Sequence, residues 1–284
     1  MIKEHHQADL WLLLATFFWG VTFVAVKDAM RYATPLAFLG ARFLLAGVLL
    51  LPFYYRGFAR LGWRGWRDGV LLGVFLFAGY ALQTAGLVHT TATRSAFITG
   101  MAVVLVPLFS IAMLGKRPDR WLVLGTLLAA GGLYFLSRPE GGGFNRGDAL
   151  TALCAACFAV VIIMVEVYTK RHEPMDMVLA QIATTVVLCA VLAWFLERPR
   201  IEFTPSLWLD LSATTVLATV GSLVIQFTYQ RKTEATRAAV IYTLEPLFAA
   251  LFAWLVAGDT MSGWGWMGAG LIFTGMLASE LSKR

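Results

Sequence analysis

Residues Gln226 to Gly275, QFTYQRKTEATRAAVIYTLEPLFAALFAWLVAGDTMSGWGWMGAGLIFTG, restate a stretch already written at Gln83 to Gly132. Laid over one another at a constant shift of 143 residues, without a gap, the two stretches align Gln83 with Gln226, Thr90 with Thr233, Ala92 with Ala235 and Thr93-Arg94 with Thr236-Arg237. Further along, Leu108-Phe109 falls on Leu251-Phe252, Gly115 on Gly258, Trp121 on Trp264, Gly125 on Gly268 and Gly132 on Gly275. Shared Leu, Ala and Gly are cheap in so apolar a chain, whereas Gln, Thr-Arg and Trp at one common shift are not. A repeat on this scale constrains the architecture before any secondary structure is assigned. The first parts of the two halves also correspond, at a shift of 139 that lays Asp9 on Asp148 and Pro35 on Pro174. The two registers differ by about one helical turn.

The 284 residues are 59% hydrophobic and only 14% charged, with mean hydropathy +0.72. Soluble domains hold roughly 45–50% apolar residues, so the chain reads as an integral, multi-pass membrane protein. Its net charge of +6 reads as loop charge that sets orientation rather than as a nucleic-acid surface. Cys154, Cys157 and Cys189 all lie in apolar runs, which argues for small helix-facing residues and against a disulfide framework or redox pair. The first apolar run, Leu10 to Val26, lacks a small-x-small cleavage pattern and has a counterpart in the second half, so it reads as a retained span rather than a secretory signal.

Ten runs are long enough to cross about 30 Å of hydrocarbon. They are approximately Leu10 to Lys27, Pro35 to Tyr55, Arg67 to Val88, Thr93 to Leu114, Trp121 to Leu136, Gly147 to Thr169, Pro174 to Leu196, Ser206 to Tyr229, Ala235 to Ala257 and Gly263 to Leu281. Run length and the absence of a ten-residue alternation favour helices over a barrel. The expected fold is therefore all-α, with ten transmembrane helices. The glycine-rich Arg138 to Arg146 separates the halves, 1–140 and 141–284; the strand and Lys-Ser/Thr of a P-loop are missing, so it reads as a linker. Placing the N-terminus in the cytoplasm puts fourteen Lys and Arg inside and seven outside, with Arg42 and Arg237 assigned to spans. Both termini are therefore expected to be cytoplasmic. Five spans per half is odd, which makes the repeat inverted, the arrangement associated with secondary transporters that work by alternating access.

Several polar residues lie within these runs. Thr215, Thr219, Ser222, Gln226 and Tyr229 recur at helical spacing on the eighth run, and Gly79, Gln83 and Gly86 stand opposite the last three in the alignment. The two glutamines are either walls of a central site or interhelical hydrogen-bonding glue. Trp19, too deep in the first run for an interfacial belt, is a packing wedge or a cavity wall. Lys27 aligns with Glu166 at the shift of 139. Pro107 and Pro246 are expected to kink the fourth and ninth runs by crowding the carbonyls of Val103 and Tyr242. Pro246 falls opposite Val103 rather than Pro107, so the two halves should bend at different depths. Small residues at Gly125, Ala129, Gly132, Gly268 and Gly275 allow close helix approach, within one chain or across a homodimer.

Glu245 lies about 15 Å into its run, near the bilayer midplane, where an unpaired carboxylate costs at least a few kcal/mol. It is either a structural latch held by Arg42, Arg94 or Arg237 beside the Pro246 kink, or a group that binds a substrate amine or carries a proton. Tyr242 shares its face. The four histidines sit outside the runs or at their edges, and no clustered His or paired carboxylates lie at depth, so enzymatic chemistry is not expected.

Trp19-Gly20 with Lys27, Pro35 followed by Arg42, and Glu245-Pro246 ahead of Gly258-Asp259, set in this five-plus-five pattern, resemble the EamA family of the drug/metabolite transporter superfamily. The resemblance covers essentially the whole chain. Members usually carry Gly-Glu where each half's fourth span ends; this chain has Gly115-Lys116 and Gly258-Asp259. The resemblance implies a bacterial inner-membrane secondary transporter without cofactor or metal. It implies export of amino acids or related small metabolites through a central cavity between the halves. Trp19, Gln83, Thr99, Ser222, Gln226, Tyr229, Tyr242 and Glu245 are the candidate cavity residues, and Lys27, Arg42, Pro107, Glu166 and Pro246 the candidate structural or gating residues. A multidrug or nucleotide-sugar exporter of the same fold is the alternative, ahead of a non-transporting membrane subunit.

Overall fold

The computed structural model describes residues 2–59, 61–136, 145–257 and 263–281; the glycines of the central linker and the Gly258-Asp259 pair lie outside them. These residues form thirteen α-helices and one π-helical segment: α1 (Ile2–Ala29), α2 (Pro35–Ala59), α3 (Trp63–Leu87), α4 (Ala92–Gly100), α5 (Ala102–Leu114), α6 (Arg120–Leu136), α7 (Arg146–Tyr168), α8 (Pro174–Leu196), α9 (Pro205–Ala213), the π segment Thr214–Gly221, α10 (Ser222–Gln230), α11 (Ala235–Tyr242), α12 (Glu245–Ala257) and α13 (Gly263–Glu280). Among the described residues the only β pairing is an isolated bridge between Ala33 and Ile201.

Helix starts follow local chemistry. Pro35, Pro174 and Pro205 open α2, α8 and α9, where the missing proline N–H would have had no intrahelical partner. Thr91 caps α4 by accepting from the Arg94 N–H, and Asn145 and Asp148 form a reciprocal capping box at α7. Eight helical runs among the described residues are long and apolar enough to cross a membrane. The fourth run is α4 with α5, the eighth is α9 through α10, and the ninth is α11 with α12. The shorter apolar helix α6 lies against α13 in the most extensive helix–helix contact described. Gly132 sits on the Gly268 carbonyl and Gly275 on that of Gly125, so these small residues meet within the chain.

The helix partners fall into exchangeable sets. The third run packs on the sixth and seventh, and the eighth on the first and second; the fourth packs on the sixth, and the ninth on the first. The second meets the seventh and the fifth meets the tenth. Replacing each run by the one five places away leaves this pattern unchanged. Outward faces carry large apolar side chains such as Leu44, Val48, Phe53, Val187 and Phe195, as lipid contact requires. Leu39, Phe43, Leu72, Val165, Met177 and Phe227 fill the core between α2, α3, α7, α8 and α10.

The fourth and ninth runs are interrupted at positions that the prolines alone do not mark. Pro107 lies inside an uninterrupted α5, and the fourth run breaks instead at Met101, between Gly100 and Ala102. The ninth breaks at Thr243-Leu244. At the shift of 143 these breaks are at corresponding positions. Pro246 accounts for the second break: it cannot donate to the Tyr242 carbonyl, and Tyr242 is where α11 ends. In the first half a glycine immediately precedes the break, and a Cβ on Gly100 would lie 3.5 Å from Cγ of Pro246 and 3.1 Å from Leu133. The two broken runs therefore approach each other at their interruptions. Both turns are tightened by three-residue hydrogen bonds, Met101 N–H to Ile98 O (3.1 Å) and Leu244 N–H to Ile241 O (3.2 Å).

Candidate functional site

A cavity of about 820 Å³, including the part continuous with solvent, opens beside these breaks. Both halves build its wall at corresponding positions: Trp19 and Phe158, Thr22 and Val161, and Phe23 and Ile162 at the shift of 139; Tyr80 and Leu223, Gln83 and Gln226, Thr99 and Tyr242, and Ala102 and Glu245 at the shift of 143. The wall is mostly apolar and aromatic, with a few polar groups at set points, the usual composition of a small-molecule site.

Of the eight residues expected in the cavity, six line it: Trp19, Gln83, Thr99, Gln226, Tyr242 and Glu245. Trp19 donates its indole N–H to the Ala218 carbonyl (3.0 Å) and meets the Tyr242 ring edge-on, so it is both wedge and wall. Gln83 donates to Thr99 Oγ1 (3.1 Å). Gln226 donates to Gln230 Oε1 (3.0 Å), which also accepts from the Tyr242 hydroxyl (3.0 Å), while the Gln230 amide donates to the Ile162 carbonyl (2.6 Å). Gln230, which the sequence reading passed over because it falls off the polar stripe, is thus the hub that fixes two wall residues.

Ser222 and Tyr229 do not line the cavity. The Ser222 hydroxyl lies 3.2 Å from the Ala15 carbonyl and 3.0 Å from that of Leu217, bonding α10 to α1 or to its own chain. Tyr229 stacks on Trp11, with centroids 5.3 Å apart. Both side chains are taken up by α1, through Ala15 and Trp11, while the π segment Thr214–Gly221 changes the register of Thr215 and Thr219 against α10. Above the segment, Gln226 still reaches the cavity. Within it, Thr219 turns to Arg42 and donates to the Thr214 carbonyl five residues back (3.0 Å).

Lys27 and Glu166, aligned in the repeat, stand apart and act as ties. The Lys27 ammonium donates to the carbonyls of Leu87 and Thr90 at the end of α3, where a helix favours a cation. Glu166 accepts from the backbone N–H of Ala235 at the start of α11 (2.9 Å) and pairs with Lys116 (2.5 Å) and Lys170 (3.0 Å). Lys116 therefore has a partner of its own. Gly115 just before it ends α5 in the left-handed region at φ 65°, which suits a residue without a Cβ.

Of the two readings of Glu245, the latch finds no arginine among the described residues. Arg94 pairs with Asp148 (2.7 Å) and Arg237 with Asp9, two ion pairs that the repeat places at corresponding positions. Asp148 also accepts from the Thr90 hydroxyl (3.1 Å), clasping α7 to the start of α4 as Asp9 clasps α1 to α11. Arg42 donates from Nε to Thr219 Oγ1 (2.6 Å), and its guanidinium lies 4.8 Å from the Tyr80 ring centroid. Among the described residues, the Glu245 carboxylate has no hydrogen-bond or ion-pair partner. Arg42, expected to be structural, lines the cavity instead.

The comparisons agree with this architecture. The EamA-like transporter family matches residues 6–138 and again 145–279. An uncharacterized transporter of Archaeoglobus fulgidus is 36% identical over 96% of this chain and 86% of its own length. The uncharacterized transporter YwfM of Bacillus subtilis is 26% identical over 97% of this chain and 94% of its own. A solved crystal structure superposes with a TM-score of 0.81 at 20% identity, covering 97% of each chain, which shows a shared fold. With the whole chain matched in two adjoining units and a relative above 30% identity along almost all of it, the protein belongs to the EamA-like transporter family.

Proposed function

We propose that this protein is a secondary transporter of the bacterial inner membrane that exports amino acids or related small metabolites by alternating access. The observation that carries the reading is the cavity itself, walled by corresponding residues of both halves where the fourth and ninth runs break. On this reading ten helices span the membrane, α6 and α13 being the fifth and tenth spans. Residues 1–140 and 141–284 are two inverted units, and both termini are cytoplasmic. The exchangeable packing of the ten runs supports an inverted repeat, whose two arrangements supply the two access states.

In this scheme the corresponding ion pairs, Arg94 with Asp148 and Arg237 with Asp9, hold opposite mouths of the cavity. One opens while the other stays shut. Each joins a broken run to the opposite half, so the helices most free to bend carry the clasps.

Counterflow in proteoliposomes tests the proposal. Purified protein reconstituted without ATP, in liposomes loaded with unlabelled amino acids, is expected to accumulate the same labelled amino acid transiently. Protein-free liposomes should not. Failure of every amino acid in the set, with protein shown to be folded and inserted, removes the amino-acid carrier reading.

A further inference from the structure

The cavity wall follows the repeat in shape but not in charge. At the shift of 139 Arg42 corresponds to Gln181, which does not line the cavity; at the shift of 143 Glu245 corresponds to Ala102. Each half thus contributes one ionisable group that its counterpart lacks, and the two groups have opposite sign. Duplication explains the frame, but it does not explain these two departures.

Neither side chain has an ion-pair partner among the described residues. Arg42 is 2% exposed, its Nε is committed to Thr219, and its Nη2 is buried without a hydrogen-bond partner. The ring of Tyr80 under the guanidinium and the contact between the Thr215 hydroxyl and the Arg42 carbonyl (3.4 Å) hold the side chain and its backbone in place. Such an orientation leaves Nη2 as a donor for a carboxylate. Glu245 lies across the interface between α1 and α12. Gly20 packs so closely there that a Cβ would come within 2.6 Å of the Glu245 carbonyl oxygen. This contact fixes the backbone that presents the carboxylate. Ionisable groups inside a membrane are costly and normally pair with one another or with a transported species. Here they line one cavity, unpaired.

We propose that Arg42 and Glu245 are the two poles of a binding site for a zwitterion, Arg42 taking the carboxylate and Glu245 the ammonium of a small dipolar molecule. A cationic drug would satisfy Glu245 and leave the Arg42 guanidinium without an anion. A nucleotide sugar, with two negative phosphates, would bring like charge to Glu245. An apolar α-amino acid satisfies both poles and sets its side chain against Trp19, Phe23, Phe158 and Leu223. The inference rests on the central cavity being the transport site, and it assigns to two residues the charge selectivity of that site.

Equilibrium binding to the purified full-length protein tests it without requiring transport. The probes are leucine, valine, methionine and phenylalanine, each with its amide, which lacks the carboxylate, and its N-acetyl derivative, which lacks the ammonium. At least one amino acid is expected to bind about 30-fold or more tightly than both of its derivatives, the lower end of the loss from unpairing one partner of a buried charge pair. Arg42→Gln should remove the preference over the amide and leave amide affinity within about threefold of wild type. Glu245→Gln should remove the preference over the N-acetyl compound in the same way. Equal binding of an amino acid and its two derivatives, or no binding by any of the four sets, overturns the proposal. A preference that survives either substitution in a folded variant also overturns it. If a variant fails to fold, the wild-type selectivity series still decides. Selective binding with no counterflow would count against the carrier reading and leave the two poles standing.

Discussion

Gly20→Ala is expected to lower transport by about 10- to 100-fold in a chain that still folds, the size of loss that a misplacement of about 1 Å causes in a preorganised site. An ideal Cβ at this position lies 2.6 Å from the Glu245 carbonyl oxygen, 2.7 Å from Phe248 Cβ and 3.1 Å from the Ala249 nitrogen. Two of these three atoms are backbone, so no side-chain rotation relieves the contact. The first run must move away from α12, and the break at Thr243-Leu244 is the place where α12 yields. Glu245 and Tyr242, on either side of that break, are then displaced relative to Arg42. Gly62→Ala, where a Cβ meets nothing within 4 Å, is the matched control. Transport rate per folded molecule is the measurement. Wild-type transport in Gly20→Ala would show that the register of α1 on α12 does not position the site.

A second large effect is expected for Gly132→Val, this time on stability. Its Cβ would lie 2.6 Å from the Gly268 carbonyl oxygen and 2.8 Å from the Ile272 nitrogen, so α6 and α13 would have to part along their shared length. Overpacking of this kind costs about 1–3 kcal/mol or more, and here backbone meets backbone. Gly275→Val should behave alike, because its Cβ would meet the Gly125 carbonyl oxygen at 2.7 Å and the Ala129 nitrogen at 3.0 Å. Both variants should show a lower unfolding temperature and a reduced folded yield. Gly131→Ala, one residue away with open space at its Cβ, should do neither.

Much of this architecture is legible in the sequence because residues matched by the two shifts take matching places in the packing. Gln83 and Gln226, matched by one shift, both reach the cavity, and Gly132 and Gly275 make equivalent backbone contacts. Asp9 and Asp148 align at one shift and their partners Arg237 and Arg94 at the other. Two salt bridges were therefore implicit in the two registers, although only the fold shows which acid meets which base.

The misses have physical causes. Nothing in TTVLATVG at Thr214 to Gly221 distinguishes a π turn from an α turn. The wider turn is held by partners distant in sequence, with the Trp19 indole on the Ala218 carbonyl and Arg42 on Thr219. Pro107 lies inside a continuous α5, where neighbouring helices tolerate one freed carbonyl, and nothing in the sequence marked Met101 as the break. The close approach of Gly100 to Pro246 instead sets both breaks at one level. For Glu245, depth and chemistry were readable, but pairing was not. The choice between latch and ligand depended on where Arg42, Arg94 and Arg237 pointed.

The measurement that bears most directly on alternating access is the sidedness of a cavity cysteine. Thr22 lines the cavity and is close in size to cysteine, so Thr22→Cys in a chain whose Cys154, Cys157 and Cys189 are replaced by Ala gives a single reporter. A membrane-impermeant maleimide is applied separately to right-side-out and inside-out vesicles. Reaction from each side is expected. Asp148→Asn, which loosens one ion pair, and Asp9→Asn, which loosens the other, should raise the rate on opposite sides. Labelling confined to one side in the parent and in both variants would contradict a central site exposed alternately to the two faces of the membrane.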